Sequence, residues 1–135
     1  MQELEIEAKD ENLDTVLDMV NGQMEEMGFL PKTMIRMAVA VEEIFVNISH
    51  YAYGDKTGSA KIIVESSEEP KGVFITFIDS GIPYDPLEKE DPDITLSAEE
   101  RQIGGLGIYM VKQTVDDIVY RYEDGKNILR IFKGV

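Results

Sequence analysis

Glu3, Glu5 and Glu7 alternate with Leu4, Ile6 and Ala8, a period of two that predicts a short edge strand with one buried face. From Asn12 to Met27 the period changes. Leu13, Val16, Leu17, Val20, Met24 and Met27 recur three and four residues apart, predicting an amphipathic helix capped near Asp10 or Asn12 and stopped by Gly28. Pro31 suits a helix start, and Lys32 to His50 reads as a long second helix carrying Met34, Met37, Ala38, Val41, Ile44, Phe45 and Ile48 on one stripe. Ile35, Val39 and Val46 extend the apolar surface, leaving a thin polar stripe of Arg36, Glu43, Asn47 and His50. A helix apolar over most of its circumference is packed on most sides, so that stripe is expected to face a cavity.

A turn at Gly54 to Gly58 precedes a strand at 61–66, a polar hairpin loop, and a second alternating strand at 73–79. Residues 82–103 are rich in Pro, Asp and Glu without a clear period, the mark of a lid or functional loop. A third helix is predicted from Ile108 to Val115, and two strands flanking Asp124-Gly125 form a hairpin. Strand, two helices, two strands, lid, helix and hairpin together predict an α+β two-layer sandwich. Its sheet is mixed and mainly antiparallel, with three helices on one face.

A chain of 135 residues supports one core. With 13 basic against 27 acidic residues, the formal charge of −14 disfavours nucleic acid and anionic membranes as partners. A bound polyphosphate therefore needs local help from backbone N–H groups and a divalent cation. There is no cysteine, which excludes disulfides, thiolate metal sites and cysteine nucleophiles, and the single His50 disfavours a Ser-His-Asp triad. The acidic N-terminus lacks the pattern of a leader, and no window has the roughly 20 apolar residues of a membrane span; a cytoplasmic protein is the expectation.

Three motifs carry chemistry. Glu43 and Asn47 lie four apart, so on a helix they project within roughly 40° of each other, whereas Glu42 points elsewhere. A carboxylate beside an amide oxygen suits metal-assisted phosphoryl transfer, the amide ligating Mg²⁺ and the carboxylate taking a proton. Asp79 ends a strand before Ser80-Gly81-Ile82-Pro83; its carboxylate can accept the exocyclic N–H of adenine, and Gly81 would let backbone approach the base. Gly104-Gly105-Leu106-Gly107 opens a helix, where unpaired N–H groups favour phosphate. It matches neither a Walker A motif nor a Rossmann fingerprint. Taken singly, each motif has a plainer reading: surface residues of an amphipathic helix, a strand-ending turn, a lid hinge. The acids Asp85, Glu88, Glu90, Asp91 and Asp93 lack EF-hand spacing and read as a solvated loop, while Tyr51 and Tyr53 read as structural aromatics that could border a nucleotide.

In order and spacing the motifs resemble those of the GHKL (Bergerat-fold) ATPases, most closely the anti-sigma-factor serine kinases of the RsbW and SpoIIAB type. Glu43-x-x-x-Asn47 with His50-Tyr51-Ala52-Tyr53 looks like the N box, Asp79-x-Gly81 the G1 box, and residues 104–107 the G2 box. The resemblance spans nearly the whole chain and implies one ATPase domain over 1–135 with a lid at about 84–103. It further implies that Asn47 ligates Mg²⁺, that Asp79 and Gly81 serve adenine, that Gly104, Gly105, Leu106 and Gly107 hold the phosphates of ATP, and that Glu43 is the general base. A serine hydroxyl benefits from such a base and a histidine nucleophile does not, so Glu43 favours serine phosphorylation or ATP hydrolysis. The implied partners are an anti-anti-sigma-type antagonist protein and a sigma factor, with homodimerisation also implied. Departures are Pro83 in place of a glycine, Asp14, Leu17 and Asp18 where an arginine would meet the partner, and Gly125-Lys126-Asn127 in place of a late Gly-Thr. A non-catalytic nucleotide-dependent switch and a plain interaction domain are the competing readings.

Overall fold

The computed structural model describes residues 1–54, 56–88 and 106–135. Five strands, β1 (Gln2–Glu7), β2 (Ser59–Glu68), β3 (Lys71–Asp79), β4 (Asp117–Glu123) and β5 (Lys126–Gly134), form one sheet in the order β1-β2-β3-β5-β4. Every ladder is antiparallel, so the mixed sheet expected from the sequence has no parallel pair among the described residues. The reason is the terminal hairpin. It inserts β5 beside β3 and sends β4 to the edge, so the crossover from β3 never pairs with the strand it enters first. Asp124 and Gly125, with φ of 53° and 76°, make the left-handed turn that an Asp-Gly pair favours.

Three helices, α1 (Leu13–Glu26), α2 (Pro31–Asn47) and α3 (Leu106–Thr114), contribute the other layer. Alternation decides which side of the sheet they cover. Ile62, Phe77 and Leu129 face one another across β2, β3 and β5, as do Val64, Ile75 and Ile131, and all six are buried. Val16, Val20 and Met24 of α1, Met37, Val41, Ile44 and Phe45 of α2, and Ile108 and Val111 of α3 close the same core. Extending these rows by two residues brings Asp79 opposite Asn127, the two buried polar side chains of this layer.

The side chains expected to cap α1 are engaged elsewhere. Asn12 Nδ2 donates to the Glu7 carbonyl at 2.9 Å, and the Asp10 carboxylate accepts from Ser49 Oγ at 2.8 Å and bonds His50 Nε2 at 2.6 Å. Tertiary bonds between the first helical turn and the end of α2 thus replace the local cap. Gly28, at φ 85°, ends the segment as expected from an αL stop.

Phe45 has no exposed surface and belongs to the core cluster between the helices and the sheet. Replacing it with alanine is expected to cost about 3–5 kcal/mol, measured by urea denaturation at unchanged m-value.

Candidate functional site

Helix α2 ends at Asn47, and the chain continues through one π-helical turn, Ile48–Ala52. Such turns often accompany functional sites because they re-aim the side chains around them. Asn47 is half-buried and lines a cavity between α2 and the ends of β3 and β5; Glu43, one turn earlier, is also half-buried, while Glu42 is exposed. Glu43 lies against the start of α3. A Cβ at Gly107 would sit 3.1 Å from Glu43 Cδ and overlap Oε2, so glycine leaves the space that the carboxylate occupies. The first and third motifs therefore meet at the N-terminal turn of α3, where N–H groups lacking intrahelical acceptors favour negative charge.

The second motif joins them through backbone. Ile82 N–H donates to the Ala52 carbonyl at 2.8 Å, and a Cβ at Gly81 would collide with that same carbonyl. The glycine is needed so that the Asp79 turn can dock on the π turn. The crowded side of Gly81 faces Ala52, a packing role beyond the one expected from the sequence. Tyr53 pins the same junction from below: its hydroxyl donates to the Ser59 carbonyl at 2.5 Å and accepts from Ser80 N–H at 2.9 Å. It is structural, as its sequence context suggested, and burial raises its phenol pKa. Tyr51 instead stays 65% exposed at the cavity mouth, where a flat ligand could stack.

Asp79 is buried at the end of β3, and its Oδ1 accepts from Gly81 N–H and from Asn127 Nδ2, both at 2.9 Å. No hydrogen bond among the described residues engages Oδ2. Asn127 is bonded at every position: Nδ2 also donates to the Ile82 carbonyl at 2.8 Å, while Oδ1 accepts from Tyr84 N–H at 3.1 Å and from the Tyr120 hydroxyl at 2.5 Å. Burial, reinforced by the nearby Asp85 and Asp79 carboxylates, raises the Tyr120 pKa and keeps that hydroxyl a donor.

The cavity has a volume of about 90 Å³, several times what one water needs, and is walled by Ile44, Ile48, Phe77, Ile82, Ile108 and Leu129. Asp79, Asn47 and Asn127, with Tyr51, Tyr84 and Tyr120, bring polar groups to a largely aliphatic wall, an arrangement that fits a flat heterocycle with an exocyclic donor. No cluster of three or more His, Asp or Glu among the described residues could hold a metal ion. The Asn47 amide oxygen on the cavity wall is a hard donor of the kind Mg²⁺ accepts together with phosphate and water oxygens.

Gly104 and Gly105 lie outside the described residues, as does most of the expected lid; Leu106 is the first residue of α3. His50 of the apparent N box points away from the cavity to Asp10. Asn127 is a faint candidate in the sequence, from its place at the late Gly-Thr position of the resemblance; the register to β3 sets it opposite Asp79. Tyr120 carries no local signal and is brought in by its bond to Asn127.

Two outcomes test this geometry. Gly81→Ala should destabilise the fold by about 1–3 kcal/mol and speed hydrogen exchange at the Ile82 amide, because the Ala52 carbonyl must move. The Asp10 carboxyl is held below the usual Asp range by its bonds to His50 and then Ser49. A depressed folded-state pKa adds stability above the unfolded value of about 3.9 that is lost as pH falls through the folded one. The melting-temperature advantage of the native protein over Asp10→Asn should therefore vanish on acidification below that value.

Residues 6–133 match the family model described as "Histidine kinase-like ATPase domain". The chain is 28% identical over 131 residues to serine-protein kinase RsbW of Bacillus cereus (strain Q1), covering 94% of this chain and 81% of that protein. The same figures hold for the RsbW of Bacillus mycoides (strain KBAB4). Among solved structures, the histidine kinase domain of the Erythrobacter litoralis EL346 blue-light-activated histidine kinase superposes with a TM-score of 0.53 at 19% identity. It covers 90% of this chain, which spans 60% of that longer one. With a five-stranded antiparallel sheet under three helices and a family match over nearly its whole length, this chain belongs to the histidine kinase-like ATPase domain family.

Proposed function

We propose that this chain is an ATP- and Mg²⁺-dependent protein serine kinase of the anti-sigma regulatory type, acting as one domain over residues 1–135 with a lid at about 84–103. The carrying observation is the placement of Glu43. Its carboxylate lies against Gly107 at the start of α3, one helical turn from Asn47 on the cavity wall, so a base, a cation ligand and a phosphate-binding helix end adjoin. The serine-protein kinase names of the relatives support the same reaction class.

In this reading Asp79 Oδ2 accepts from the adenine amine, and the apolar walls exclude water from the base. Asn47 holds Mg²⁺, which when bound screens the charge on the phosphates. Glu43 takes the proton of a serine hydroxyl presented at the α3 end as that oxygen attacks the terminal phosphorus, and the bond to the bridging oxygen of ADP breaks. The Gly105 and Gly107 amides stabilise the transferring group. The substrate is an antagonist protein bearing the serine, and in its other state the chain holds a sigma factor. Local backbone donors are essential because the chain's charge of −14 opposes a polyphosphate elsewhere.

Glu43→Gln should lower phosphotransfer by about 10²–10⁴-fold while leaving Mg·ATP binding intact, as read by phosphoprotein gels and thermal shift. At 100 times Kd, ATP should stabilise both proteins by about 2.7 kcal/mol. Nucleotide-dependent partner binding without any phosphoprotein would instead indicate a non-catalytic switch.

A further inference from the structure

The Asn127 amide has one possible orientation. Tyr84 N–H can only donate and the Ile82 carbonyl can only accept, so the amide oxygen must face the first and the amide nitrogen the second. The remaining amide proton is then committed to Asp79 Oδ1, which also receives the Gly81 N–H. Two donors converge on one carboxylate oxygen, and the other is left to accept from whatever enters the cavity. Asn127 also ties the loop after Asp79 to β5, so the same amide sets both the carboxylate and the wall beside it.

We infer that Asn127 is the positioning residue for base selectivity: by locking Asp79 it makes the site accept a purine with a 6-amino donor and reject one with a 6-oxo acceptor. A 6-oxo group would bring its oxygen against Asp79 Oδ2, acceptor against acceptor. Asn127 lines the cavity but has no hydrogen-bonding position left for the base, since all four are filled by protein. This assignment rests on the ATP reading above.

Calorimetric titration with Mg·ATP and Mg·ITP, which differ at the purine 6 position, tests it in the intact chain. The native protein should bind ATP more tightly than ITP. Asn127→Ala should weaken ATP roughly ten- to a hundredfold and ITP much less, so that the ratio collapses. Asn127→Asp keeps the shape and both acceptor bonds but sets a carboxylate oxygen against Asp79 Oδ1 and the Ile82 carbonyl. Two carboxylates so placed share a proton, which can restore the bond to Asp79 though not the one to Ile82. ATP affinity of Asn127→Asp should therefore recover as pH falls from 8 towards 5, whereas the native protein shows no such recovery; a loss due only to loosened packing would not follow pH in this way. Thermal melting of each variant without nucleotide verifies folding. If the native protein prefers ATP and Asn127→Asp keeps that preference without pH dependence, the role of Asn127 is overturned and the ATP reading stands. If the native protein binds neither nucleotide, both fall.

Discussion

The 2.9 Å hydrogen bond between Asn127 Nδ2 and Asp79 Oδ1 closes the end of the sheet at which the cavity opens. A buried carboxylate and a buried amide would each cost stability if left unpaired, and pairing them makes the two central strands end in register. From that bond the rest of the cavity follows. Asn127 holds the loop at Ile82 and Tyr84, the loop holds its backbone against Ala52, and Ala52 ends the π turn that follows Asn47. A chain of short polar links thus connects the Asp79 end of the cavity to the helix that carries Glu43.

The apolar layer gives those links their precision. Ile44 and Ile48 come from the same helix as Glu43 and Asn47 and pack beside Phe77 and Leu129, so the polar stripe of α2 cannot rotate without disrupting the core. Gly107 then allows α3 to come close enough for its N-terminal turn to adjoin the Glu43 carboxylate. Close approach, rather than unusual backbone angles, is what both Gly81 and Gly107 provide.

Electrostatics work against the whole and for the part. A strongly acidic chain repels a polyphosphate; in the proposed reading helix-end N–H groups and a cation would act within a few ångströms, where they would outweigh a field that salt screens over about 8 Å. Acidity elsewhere then suits discrimination against nucleic acid. The His50–Asp10 pair belongs to the scaffold, fastening the start of α1 to the end of α2 some 40 residues away.

Much of this protein is legible in its sequence because the relevant physics is local. The period of two in the strands, the three-and-four spacing of α2, the stop at Gly28 and the Asp-Gly hairpin each depend on a few neighbouring residues, and Glu43 and Asn47 share a face by helix geometry alone. Other features needed the fold. β5 displaces β4 from β3, Asn127 meets Asp79 across 48 residues, Gly81 answers to Ala52, and the supposed caps Asp10 and Asn12 serve distant or non-helical partners. Those pairings are decided by strand register and side-chain packing between segments far apart in the chain. Periodicity specifies which face is buried, but only the assembled sheet specifies which residue stands opposite which.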